Sequence, residues 1–134
     1  MSNNVDRTRR WYNEVWKAGG ERTVHELMAE EIIGYMEGSD VRSRSEFLAE
    51  RGRLLGAFPD LEIVVDDCIE DGAKTVARWH VTATHTGDAL GFPATNRKVA
   101  FRGMTWLEFQ DGRIVRGWDS WNLGGLLESL RAPK

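Results

Sequence analysis

The chain has 134 residues, 41% hydrophobic and 29% charged, with a formal net charge of −3 at pH 7. That length predicts a single domain over 1–134 with one sizeable core; the acidic balance and scattered arginines speak against nucleic acid or an anionic membrane as partner. No segment approaches the ~20 apolar residues of a membrane span, and the lone cysteine, Cys68, allows no internal disulfide and predicts a reducing cytoplasm.

The opening MSNNVDRTRR is polar with no apolar run behind it, which predicts no signal peptide or anchor. Over 6–18, Trp11, Tyr12, Val15 and Trp16 fall on one face at helical spacing, and Gly19 and Gly20 stop the helix. ERTVHELMAEE predicts a second helix with Val24, Leu27 and Met28 as its stripe, and EIIGYM a short strand. Ser43 with Glu46 three residues later reads as a capping box opening a third helix, SRSEFLAERGRLLGAF, ended by Pro59. Phe47, Leu48, Leu54, Leu55 and Phe58 are its expected core face.

Beyond Pro59 the period changes to 2. LEIVVDDCIE, TVARWHVTATHT, KVAFRGMTWLEF and RIVRGWDSW predict four strands. EDGAK, the loop GDALGFPATNR and the Asp-Gly turn of QDGR join them, and LGGLLESLR closes the chain as an apolar helix. Helices followed by an antiparallel meander predict α+β, with a curved antiparallel sheet forming a cone and the N-terminal helices packed on it.

Strand alternation sorts the polar candidates by face. On the long strand Val76, Arg78, His80, Thr82 and Thr84 share one face, while Ala77, Trp79, Val81, Ala83 and His85 share the other. On the last strand Val115, Gly117, Asp119 and Trp121 form one set, and Ile114, Arg116, Trp118 and Ser120 the opposite set. Periodicity alone does not say which face of the long strand turns inward. Asp119, between Trp118 and Trp121, is either a carboxylate held among indoles with a raised pKa or a structural group that caps the closing helix or pairs with Arg116 or Arg78. The pairs Glu30–Glu31, Asp66–Asp67 and Glu70–Asp71 are adjacent in sequence, so their side chains diverge and suit solvated edges. Cys68 reads as a small buried hydrophobe, and His25, His80 and His85 lack metal-ligand spacing, so no metal is expected.

Four stretches, RRWYNEVWKAG, AFPDLEIVVDD, VARWHVTATHTGDALGFPATNRKV and DGRIVRGWDSWNLGGLLESL, together cover most of the chain. Their order resembles the SnoaL-like polyketide cyclase family, part of the nuclear transport factor 2-like superfamily of α+β cones. The THTG segment with its proline-containing loop, and the D-G-R-I-V hairpin followed by W-D-x-W, carry most of the likeness. The resemblance implies that Asp119 points into the cone and acts as general base and acid on an enolisable substrate. It also implies no cofactor, and association through the outer face of the sheet, most often as a homodimer.

Two positions depart from the family pattern: W-D-x-W-D ends here in Asn122, and a histidine common in the early strand is replaced near Tyr35. His80 is the expected partner of Asp119, orienting as an acid–base dyad, and Arg78 and Tyr35 the expected oxyanion stabilisers. Trp121, Trp106, Phe58 and Thr82 complete the expected wall of a pocket for a small hydrophobic molecule. Limonene epoxide hydrolase is similar in fold and holds an arginine between two aspartates; Arg78 and Asp119 match two of those groups, with His80 at the third. Three readings stay open: a cyclase or isomerase on a carbonyl or polyketide-like compound, a hydrolase that activates water on an epoxide-like compound, and a binding module without catalysis.

Overall fold

The computed structural model describes residues 3–133. Chain order is α1 (Asn4–Glu14), α2 (Glu21–Leu27), β1 (Met28–Met36), β2 (Ser39–Ser43), α3 (Arg44–Ala57), β3 (Glu62–Asp71), β4 (Lys74–Thr84), β5 (Lys98–Gln110), β6 (Arg113–Trp121) and α4 (Leu123–Arg131). The strands form one open sheet in the order β2-β1-β6-β5-β4-β3. The architecture is the expected α+β cone, but the sheet is mixed: every pair is antiparallel except β1 with β6, which runs parallel. Strand β2, which the sequence did not announce, pairs back on β1 through the two-residue turn Glu37–Gly38, where Gly38 takes φ +89°.

Helix α1 ends at Glu14, earlier than the two glycines suggest. The cause is tertiary. Buried Arg51 of α3 donates from Nε to Val15 O at 2.5 Å and from Nη2 to Lys17 O at 2.7 Å, taking up carbonyls that the helix leaves free. Gly20 then passes so close to the backbone of Glu14 and Val15 that a Cβ there would lie 2.4 Å from a carbonyl oxygen. Ser43 caps α3 as expected, its hydroxyl accepting from Glu46 N–H at 3.1 Å, while Glu46 reaches the N–H of Arg42 rather than that of the cap. The Asp111–Gly112 turn has positive φ at both residues, the conformation a two-residue hairpin needs.

The core lies between the concave sheet face and the helices. Ala77, Trp79, Val81 and Ala83 of β4, Thr105, Leu107 and Phe109 of β5, Trp11 and Tyr12 of α1, and Val15 just after that helix are buried there. The long strand therefore turns its apolar face inward, as hydrophobic burial requires, and leaves Arg78, His80 and Thr82 outside. On β6, the register shifts by one residue against β5: Glu108 pairs Arg116 while Phe109 pairs Ile114. This bulge at Val115 brings Ile114 into the core, at 2% exposure, although Gly117, Asp119 and Trp121 also face inward. No helix among the described residues is long and apolar enough to cross a membrane.

Candidate active site

Cross-strand register assembles the site. Thr105 of β5 sits opposite Asp119 of β6 and opposite Ala77 of β4, and Gly103 sits between Trp79 and Trp121. A Cβ at Gly103 would lie 2.7 Å from the Trp79 ring and 2.8 Å from Trp121 Cβ, so only glycine lets both indoles fold across β5. Trp79 Nε1–H donates to Thr105 Oγ1 at 2.9 Å, and Thr105 Oγ1–H donates to Asp119 Oδ1 at 2.7 Å. An indole nitrogen can only donate, so the hydroxyl must accept from it and spend its single proton on the carboxylate. The chain Trp79→Thr105→Asp119 thus has a fixed direction and pins one carboxylate oxygen.

Asp119 is half-buried, and its exposed part faces an apolar cavity of about 110 Å³. Trp11, Trp16, Phe47, Phe101, Leu107 and Trp121 are among its walls, with Trp121 stacked on Phe101 at 4.8 Å. Burial raises the Asp119 pKa to about 6; the Thr105 hydrogen bond opposes that rise and the negative charge of Glu37 adds to it. Tyr12, on α1, also lines the cavity. Its phenol is pushed well above its ordinary pKa by burial first and by the charge of Asp119 second, against hydrogen bonding to Thr105 and Trp79. At neutral pH it is a protonated phenol near the Asp119 carboxylate.

The expected dyad does not exist. His80 lies on the outer face, opposite Val64 and Arg102, with Nδ1 at 2.8 and 2.9 Å from the two oxygens of Asp66. Arg78 is exposed on the same outer face, across from Asp67 and Met104, so the Arg78–His80–Asp119 set resembling the epoxide hydrolase is not assembled. Asp119 sits on the other side of the sheet because β6 presents it with Gly117 and Trp121, in register with inward Thr105.

Of the expected pocket wall, Trp121 and Tyr35 line the cavity, and Trp106, Thr82 and Phe58 do not. Tyr35, at the cavity's edge on β1, is 38% exposed and stacks its ring on Trp118 at 5.5 Å. Trp106 is 45% exposed, edge-on to Trp118 and under the Lys74 ammonium. Thr82 is exposed on the outer face. Phe58 is fully buried, but against His85 rather than the cavity.

His85 ties down the loop that follows β4: its Nδ1 takes the Thr95 N–H at 3.2 Å, and its backbone pairs with Asn96 and Arg97. Leu90 from this loop lines the cavity. Asn122, at the position where the family motif carries aspartate, caps α4 by accepting from Gly125 N–H at 2.8 Å. That leaves Asp119 free of the capping role. Sequence reasoning missed Thr105, Trp79 and Tyr12. Two of them sat in view, on the apolar alternation of their strands, and Tyr12 on the apolar face of α1.

A curved sheet with helices over its concave face and one carboxylate deep in an apolar cavity defines the class: an α+β cone of the nuclear transport factor 2-like and ketosteroid isomerase-like kind. Within that class, the model for the SnoaL-like polyketide cyclase family matches residues 6–130, and the chain belongs to that family. A protein from Jannaschia sp. CCS1, provisionally described as a SnoaL-like polyketide cyclase, superposes with a TM-score of 0.92 at 23% identity, covering 98% of this chain and 94% of its own. AclR from Streptomyces galilaeus, provisionally a hydroxylase, matches at 28% identity and a TM-score of 0.78, covering 96% and 83%. A protein of ketosteroid isomerase-like fold from Catenulispora acidiphila DSM 44928, solved with trimethylamine, matches at 13% identity and a TM-score of 0.78, covering 96% and 94%. No curated protein matches the chain.

Proposed function

We propose that this chain is a cofactor-independent acid–base enzyme acting on a small hydrophobic carbonyl or polyketide-like compound, with Asp119 carrying the proton. One observation supports this above the others: a carboxylate with a pKa of about 6 whose free side meets an apolar cavity. Such a group is mostly ionised at pH 7, yet it holds a proton firmly enough to return it as an acid. A C–H bond beside the substrate carbonyl breaks, the proton goes to Asp119, and the electron pair moves into the carbonyl to give an enolate. Tyr12 donates a hydrogen bond to the enolate oxygen. In a cyclisation the enolate carbon bonds to a second carbonyl carbon, and the resulting alkoxide takes the proton back from Asp119. In an isomerisation, Asp119 returns the proton to another carbon. Every proton and electron pair stays with the substrate or with Asp119.

The cavity limits the substrate. An apolar cavity of about 150 Å³ holds benzene, so about 110 Å³ suits a single small ring or the leading end of a larger molecule. Family membership agrees with this chemistry without specifying it. The test is exchange of α-protons of a simple cyclic ketone in heavy water, followed by NMR. Exchange that disappears in Asp119→Asn, with calorimetric binding retained, supports the reading. Binding by the wild type with no exchange makes the chain a binding module instead.

The same proposal extends to the assembly and its setting. Tyr35, Trp118, Trp106 and Met104 leave an exposed apolar band on the outer sheet face, and we assign it to a homodimer contact rather than to the substrate. The single free cysteine and the acidic charge balance favour a cytoplasmic protein with neither nucleic acid nor membrane as partner.

A further inference from the structure

Besides Asp119, two carboxylates line the cavity; Glu50 is paired with Arg53, and the other, Glu37, is left unused by this chemistry. Glu37 is half-buried, lines the cavity, and occupies the turn between β1 and β2. The turn leans on α4: a Cβ at Gly38 would lie 2.8 Å from the side chain of Leu123, another cavity residue. The other charged groups of the rim are engaged. Arg53 pairs with Glu50 at 3.2 Å, and Arg116 extends toward Glu108 at 3.7 Å. Among the described residues no hydrogen bond or ion pair reaches Glu37, and its charge is felt by Asp119 inside the cavity. Its carboxylate thus stands at the cavity with its acceptor oxygens uncommitted among the described residues, open to a donor carried by a ligand.

We propose that Glu37 is a specificity-determining residue, whose carboxylate accepts a hydrogen bond from a hydroxyl or protonated amine at the outer end of a ligand whose ring lies in the cavity. The inference rests on the cavity being the ligand site described above. It narrows the substrate class to a small ring with its carbonyl toward Asp119 and a donor toward the mouth. Ligands with a carboxylate at that end are rejected, because Glu37 and Asp119 both repel it while Arg53 and Arg116, the cations lining the cavity among the described residues, already face Glu50 and Glu108.

The experiment is isothermal calorimetry with 4-methylphenol, 4-methylbenzylamine and 4-methylanisole, which share a ring and differ in the outer donor. Asp119→Asn is the background, so that the deep carboxylate does not compete for the donor. At least one of the two donor probes binds about tenfold more tightly than the anisole, the size of one hydrogen bond to a charged acceptor. Glu37→Leu, a change in a surface turn whose folding is checked by an unaltered Tm, abolishes that preference. Glu37→Gln keeps a preference for the phenol, which its amide oxygen still accepts, and loses one for the ammonium, which needs the charge; the pattern tells the two ligand classes apart. With Asp119 present, Glu37→Gln also moves the acid limb of the kcat/KM profile to lower pH, a shift that a merely structural role would not produce. Equal affinity for all three probes, or a preference that survives Glu37→Leu, overturns the assignment. If ketone exchange is intact and donor preference is absent, Glu37 alone is misassigned; if donor preference is present without exchange, the acid–base reading falls and Glu37 stands.

Discussion

Replacing Thr105 by valine keeps the shape of a fully enclosed β5 position and removes one oxygen, the link between the Trp79 indole and the Asp119 carboxylate. The hydroxyl donates to Asp119 Oδ1 at 2.7 Å and opposes the rise that burial imposes on its pKa. A hydrogen bond to a charged group contributes about 1.5–3 kcal/mol, and one pKa unit corresponds to about 1.4 kcal/mol. The variant therefore titrates about one to two units higher, somewhat damped by water that enters the cavity. At pH 7 the ionised fraction falls from about nine-tenths to between about a half and a tenth. The assay is carbon-13 NMR of the labelled Asp119 carboxyl across pH 4 to 9, beside the pH profile of ketone exchange. Both midpoints move up together, and exchange at pH 7 drops by about two- to tenfold. Thr105→Ser restores the wild-type midpoint. An unchanged or lowered midpoint in Thr105→Val would refute the fixed Trp79→Thr105→Asp119 direction.

Asp119 also sets a pH dependence of stability. Its folded pKa, about 6, lies above its ordinary value of 3.8, so folding is favoured most while it is protonated and loses that support as pH rises from about 4 through about 6. Asp119→Asn is therefore more stable than wild type by up to about 3 kcal/mol above pH 7, with the gap closing below pH 4; urea unfolding at several pH values checks the sign. His80→Ala and Arg78→Ala leave exchange within about twofold of wild type, since both side chains lie outside the cone, and a loss of more than about a hundredfold would return them to the site. Trp118→Lys puts a charge in the middle of the exposed aromatic band and converts a dimer to a monomer in sedimentation while the Tm changes little. A wild-type protein that sediments as a monomer removes that face from consideration.

Much of the fold was legible in the residues themselves. The change from helical to alternating periodicity at Pro59, the Asp-Gly hairpin and the Ser43 cap are local signals, and local geometry honours them. Asp119 was legible as the candidate too, a carboxylate between indoles in W-D-x-W that the structure sets in the cavity. What alternation could not supply was phase. On β4 it yields two faces, and the choice belongs to whichever face the helices cover, because burying Ala77, Trp79 and Val81 removes apolar surface from water while Arg78 and His80 keep their hydration outside. A bulge at Val115 then breaks the alternation of β6, which no pattern of period 2 announces. Thr105, Trp79 and Tyr12 meet Asp119 only through register and helix docking, across separations such as the 26 residues between Trp79 and Thr105. The sequence by itself determined the elements other than β2, the cone and the candidate carboxylate, Asp119. Tertiary structure alone decided its partners, because side chains become neighbours of Asp119 through strand pairing and packing rather than through distance along the chain.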